Sequence, residues 1–124
     1  FIDADGFVHV VDRIKDVVIR GGENVYCLEV EAVLQEHPAV AEVTVIGIDE
    51  RAMGERVCAV VVPRRGATVT LEELRAFAVP RLARFKCPEA LYIAGDLPRT
   101  ATGKVAKTTV RAEVAGSGSV ERTW

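Results

Sequence analysis

The sequence predicts an α+β domain, a small three-stranded sheet flanked by helices with an antiparallel hairpin at the N-terminus. Three observations carry that expectation. Two β-rich stretches, Val40 to Ile48 and Arg56 to Val62, are apolar enough to be central, mostly covered strands. Two short helical segments carry their own start and stop signals. Strands and helices interleave, but with too few long helices for a doubly wound sheet. The 124 residues suit a single core, since a chain of this size buries roughly two thirds of its unfolded surface.

In chain order, Asp5-Gly6 is a turn signal between Phe1-Ile2 and the alternating Phe7 to Val11, and Val17-Val18-Ile19 is a further β-branched run ending at Gly21-Gly22. From Leu28 to Glu36, the residues Val30, Val33 and Leu34 fall at helical spacing. Glu29 and Glu31 lie in the first turn, where the helix dipole favours acids, and His37-Pro38 ends the element. Asp49 to Glu55 is a polar connection between the two long strands. Thr70-Leu71-Glu72-Glu73 has the form of a capping box, with Leu71, Leu74 and Phe77 on one face behind it. Pro80 removes a backbone donor and should kink or split that helix before Leu82. A short strand from about Ala90 to Ala94 precedes a loop from Gly95 to Gly103. Val105 to Val114 is helical by context only, because Thr108-Thr109-Val110 has poor intrinsic helix propensity. Gly116-Ser117-Gly118-Ser119 predicts a flexible tail over 115–124.

Composition narrows the function classes. Net charge is only -2, but residues 1–50 carry -8 and residues 51–124 carry +6. A basic second half suits a phosphate-bearing ligand; solvated faces that merely differ between segments would give the same count. Nucleic acid is a poor partner for a chain that is acidic overall and has seven aromatic residues with which to stack bases. No apolar run approaches the roughly 18 residues of a membrane span, and Phe1 to Gly6 has neither the basic nor the apolar part of a signal peptide, so a cytoplasmic protein is expected. Cys27, Cys58 and Cys87 form no Cys-x-x-Cys pair, and His9 and His37 lack acidic or thiol neighbours at ligand spacing, so no metal site is expected.

The stretch richest in chemistry is Pro98-Arg99-Thr100-Ala101-Thr102-Gly103-Lys104, which puts one lysine on a polar loop between apolar segments. Gly103 allows unusual backbone angles and the threonines can hydrogen-bond locally, giving a loop that can move. A phosphate-binding P-loop is excluded: Pro98 stands where the first glycine is required, and Val105 stands where Ser or Thr should follow the lysine. Upstream lies Asp12-Arg13-Ile14-Lys15-Asp16-Val17-Val18-Ile19-Arg20-Gly21-Gly22-Glu23-Asn24-Val25.

Together, in this order, the two motifs resemble the C-terminal domain of the adenylate-forming superfamily, in its acyl-CoA and aryl-CoA ligase branch. The resemblance covers nearly the whole chain, about residues 1 to 114. It implies a large N-terminal domain absent from these 124 residues, with 1–16 as linker, hairpin and hinge and 17–114 as a mobile lid. It implies ATP with Mg2+ and a carboxylic acid as substrates, CoA as acceptor, and the protein's own N-terminal domain as partner. Lys104 is then the catalytic lysine of adenylation, whose ammonium holds the acid and offsets charge at the α-phosphate. Lys15 corresponds to the hinge and Arg13 to an arginine near the ribose. Gly21, Gly22 and Glu23 correspond to the loop lining the pantetheine channel in the second half-reaction. Arg84, Phe85 and Lys86 resemble a segment that meets the nucleotide end of CoA, although Phe85 suits the core equally well and Cys87 and Glu89 stand where some relatives carry cations. Cys27 replaces a proline common after the equivalent of Tyr26. Gly-Gly-Glu-Asn-Val followed by Leu28-Glu29-Val30-Glu31 is more similar to CoA ligases than to peptide-synthetase domains. A stand-alone binding module with this fold, or a domain that transfers to a carrier protein, are the alternatives.

Overall fold

A computed structural model describes residues 16–52 and 54–124. The expected hairpin over Phe1 to Val11, Arg13 and Lys15 lie outside these residues. The elements are β1 (Val17–Arg20), β2 (Glu23–Tyr26), α1 (Cys27–Leu34), β3 (Val40–Glu50), β4 (Gly54–Pro63), α2 (Leu71–Ala78), a 3-10 turn (Arg84–Lys86), β5 (Ala90–Ile93), α3 (Lys107–Gly116) and β6 (Glu121–Arg122).

The α+β class holds, but among the described residues the sheet has six strands instead of three. β3 and β4 form a long antiparallel pair, with Val43 opposite Val61 and Ile46 opposite Cys58. β5 runs parallel to β4, with Cys58 opposite Ala90. These are the three strands that the apolar runs predict. The hairpin β1–β2 joins through one pairing, Arg20 with Gly54, and β6 pairs antiparallel with β5. Neither joining has a local signal: the hairpin's β-branched run and glycine turn are visible in the sequence, but its tie to β4 is a single bridge, and β6 is Glu121–Arg122, two charged residues. The stretch 115–124, expected to be a tail, contributes β6 to the sheet edge. Gly116 ends α3, and the chain then returns to the sheet edge, where Thr123 N donates to Glu89 O at 3.0 Å.

β4 is apolar on both faces because both are covered. Val57, Ala59 and Val61 point into one core with Val18, Val25, Val30, Leu34, Leu71 and Leu74. Cys58 and Val60 point the other way, into a second core with Ile46, Ala90, Leu97, Val110 and Val114. The strand period of two thus divides one apolar run between two layers, with α1 and α2 packed on one side and α3 on the other. Val110 and Val114, four apart, are the buried stripe of α3, so packing overrides the weak propensity of Thr108-Thr109-Val110.

The helix ends follow the sequence signals. Thr70 caps α2, its hydroxyl accepting from Glu73 N at 3.2 Å and meeting the Glu73 carboxylate at 3.1 Å. Two residues before Pro80 that helix stops. α1 begins at Cys27, whose amide donates to Asp16 O at 3.2 Å. A proline there would have no hydrogen to give, so cysteine at this position allows a tie between α1 and the residue ahead of β1. Among the described residues no helix is long and apolar enough to cross a membrane.

Candidate functional site

Lys104 is exposed on a loop whose shape is set by its own backbone. Arg99 and Val105 form an antiparallel bridge, Thr100 N donates to Lys104 O at 2.7 Å, and Gly103 N donates to Thr100 O at 3.0 Å. Gly103 turns the corner at φ 87°, a left-handed conformation that side chains disfavour. Ala106 N donates to Pro98 O at 2.8 Å across the base. The loop is therefore a closed turn that presents the lysine at its rim. Arg99 fastens it to β3 through an ion pair with Glu42 and also donates to Gly103 O at 3.1 Å.

Gly21 and Gly22 make the two-residue connection of the hairpin β1–β2, with φ 56° and 87°. Two positive φ values in succession are the requirement of a type I′ turn, which explains the glycine pair. A Cβ on Gly22 would meet nothing within 4 Å, so the constraint is conformational and the backbone there is open to an approaching chain. Glu23 is exposed beside it.

This hairpin is rooted by a charge network that the sequence pattern does not show. Glu89, only 6% exposed, accepts from Arg20 Nε at 2.7 Å, Arg20 Nη2 at 2.9 Å and Arg56 Nη1 at 2.8 Å. Arg56 Nε in turn donates to Glu50 at 2.8 Å. Burial pushes the Glu89 carboxyl up, but the hydrogen bonds from Arg20 and Arg56 outweigh it and hold the group below its ordinary value of 4.5. Ile19 N adds a bond to Glu55 at 2.8 Å. The acid that interrupts an otherwise basic segment is thus the clamp for the residue preceding Gly21.

A second cluster surrounds Lys107, the first residue of α3. Its Nζ donates to Asp16 Oδ1 and Oδ2 at 2.7 and 2.8 Å, to Glu31 Oε2 at 2.9 Å and to Val45 O at 3.0 Å. Burial disfavours the ammonium, but the Asp16 hydrogen bond and the Glu31 charge win and raise its pKa above the usual lysine value. Glu31 also accepts from Val45 N at 2.8 Å and Thr44 Oγ1 at 3.1 Å. Both clusters escape a sequence reading because Glu89 and Lys107 draw their side-chain partners from 33 to 91 residues away along the chain.

The two loops root at opposite ends of β3. The lysine loop is tied to Glu42, and the glycine hairpin is tied to Gly54 and, through Arg56, to Glu50. At about 3.3 Å per residue, Glu42 and Glu50 stand roughly 26 Å apart along the strand. Lys104 and Gly21–Gly22 are thus not brought together. Of the remaining expected residues, Arg84 is exposed, Phe85 packs half-buried against the first core, and Lys86 pairs with Glu29 at 2.8 Å. Cys27, Cys58 and Cys87 are buried free thiols, and burial pushes the first two up to about 12. Among the described residues no group of three or more His, Cys, Asp or Glu side chains could hold a metal ion.

The AMP-binding enzyme C-terminal domain family matches this chain over residues 29–104. Among curated relatives, the 2-succinylbenzoate–CoA ligase of Geobacillus sp. (strain WCH70) is 48% identical over 105 residues, 85% of this chain and 21% of that protein. The oxalate–CoA ligase of Arabidopsis thaliana is 42% identical over 110 residues, 89% of this chain and 21% of that protein. Among solved structures, ATP-bound MatB from Rhodopseudomonas palustris superposes with a TM-score of 0.77 at 39% identity, covering 82% of this chain and 20% of the other. The chain spans about a fifth of the length of the curated relatives it matches.

Proposed function

This chain belongs to the AMP-binding enzyme C-terminal domain family, and we propose that in its parent protein it is the lid of an ATP-dependent ligase that joins a fatty or aryl acid to CoA. Residues 17–114 are the moving body in this reading, Lys15 is the pivot, and the large N-terminal domain supplies the acyl pocket and most of the ATP site. The cytoplasmic setting expected from the sequence is part of the same proposal.

In the first half-reaction a carboxylate oxygen attacks the α-phosphorus of ATP, pyrophosphate leaves, and an acyl adenylate remains. Two anions must meet. The exposed Lys104 ammonium, held at the rim of a closed turn, fits that need by binding the carboxylate and offsetting charge that builds at the phosphate. Arg13 stands near the ribose. Mg2+ would be held by the triphosphate and the N-terminal domain, because the described residues offer no ligand cluster.

In the second half-reaction the CoA thiol attacks the acyl carbonyl and AMP leaves. Gly21 and Gly22 suit the wall of a narrow channel, since neither carries a side chain to fill it, and the exposed Glu23 flanks them. Arg84, being exposed, is available to a phosphate at the nucleotide end of CoA, with Phe85 and Lys86 beside it; Lys86 would exchange Glu29 for the ligand.

The observation that carries the reading is the separation of the two loops on one body. Both cannot face one reacting carbon together, and a rotation of the body would deliver each in turn. The test is acid-dependent ATP–pyrophosphate exchange by the parent protein across a panel of fatty and aryl acids, followed by CoA thioester formation. Exchange without any CoA thioester would sink the assignment of the acceptor, and no exchange with any acid would sink the ligase reading itself.

A further inference from the structure

Lys107 lies three residues after Lys104, and it links the lysine loop to the start of β1. Its ammonium reaches three separate parts of the fold: Asp16 ahead of β1, Glu31 on α1, and the Val45 carbonyl of β3. Asp16 is itself held through its backbone by the Cys27 amide at 3.2 Å. On the other side, Ala106, adjacent to Lys107, closes the base of the lysine loop on Pro98 at 2.8 Å. One leg of the loop therefore runs straight into an anchored residue. The other leg is held by Arg99 at Glu42, where both side chains are well exposed and the pair is correspondingly weak.

We propose that Lys107 is a positioning residue for Lys104: by binding Asp16 and Glu31 at once, it fixes the root of the lysine loop to the segment that follows the candidate pivot Lys15. The inference rests on the ligase reading. Two consequences distinguish an aiming role from a purely structural one. Lys107 faces two carboxylates, so its removal leaves like charges side by side and lowers stability; neutralising Glu31 relieves that repulsion without restoring the tether. Aim also matters only while Lys104 is at the reacting centre. A displacement of about 1 Å there can cost on the order of 100-fold in rate, whereas the turn end of the glycine hairpin has its own root, Arg20 on Glu89.

The experiment uses the parent protein with Lys107→Met and with Lys107→Met/Glu31→Gln. Both half-reactions, the melting temperature, and amide hydrogen exchange at Cys27 and at 99–106 are measured. Lys107→Met is expected to lower kcat for ATP–pyrophosphate exchange by about 10- to 100-fold. Thioester formation from supplied acyl adenylate should stay within about threefold, and exchange should quicken at Cys27 and Ala106. The double variant should regain melting temperature but not adenylation. Equal loss in both half-reactions, recovery of adenylation together with melting temperature, or unchanged amide exchange overturns the inference while leaving the ligase reading intact. A wild-type protein inactive in both half-reactions overturns the ligase reading and this inference with it.

Discussion

Glu89→Gln is the substitution for which the structure gives the sharpest expectation. The wild-type carboxylate offers two oxygens that accept three hydrogen bonds from two guanidinium groups. Glutamine keeps the shape but has one acceptor oxygen, so its amide nitrogen must face Arg20 or Arg56, donor against donor. Breaking a fully buried ion pair costs about 3–5 kcal/mol. Here the Arg20 side chain retains 21% and Arg56 16% of its exposure, so water and salt recover part of that loss, and about 2 kcal/mol is the figure expected. For 124 residues, an unfolding entropy of about 2.1 cal/mol/K per residue converts this to a fall in Tm of about 8 °C. Because the folded-state pKa of Glu89 lies below its ordinary value of 4.5, its contribution is fully present above that pH and is lost as pH falls through the lowered value. Melts of the chain and the variant, followed by circular dichroism from pH 7 to pH 3, should show the gap in Tm narrowing in the acid range. A gap under about 2 °C at pH 7, or one that does not respond to pH, would refute the clamp.

Two further outcomes follow from the loops. Gly22→Val places a β-branched side chain at φ 87°, at a cost of about 1–2 kcal/mol. It should slow thioester formation in the parent protein more than adenylation, and equal slowing in the two assays would remove the hairpin from the channel. The 124-residue chain alone should catalyse no ATP–pyrophosphate exchange, because the acyl and ATP pockets are assigned to the N-terminal domain; exchange by the purified chain would refute that division.

Local chemistry accounts for what was legible in the sequence. The capping box at Thr70, the stop before Pro80 and the apolar runs of β3 and β4 each act over a few residues, and each appears where the pattern places it. The Gly21–Gly22 turn was equally visible, since a pair of positive φ values has few other solutions. Contacts made at long range were not visible. β6 is two charged residues held at an edge by β5, and Glu121 and Arg122 carry no strand signal of their own. Glu89 looks like a departure from a basic segment until Arg20 and Arg56 are seen to enclose it. Lys107 looks like an ordinary helix-start cation until Asp16 and Glu31 converge on it. Phe85 was open between ligand and core, and its packing against the first core leaves Arg84 as the more exposed of the two for a phosphate.

The central claim is that Lys104 acts in one half-reaction and is absent from the other, and Lys104→Ala in the parent protein tests it most directly. The variant should lose about 100- to 1000-fold in acid-dependent ATP–pyrophosphate exchange, while thioester formation from supplied acyl adenylate and CoA stays within about threefold of wild type. Equal loss in both assays would contradict the account, because a lysine needed equally throughout is not one that the lid carries in and then carries away.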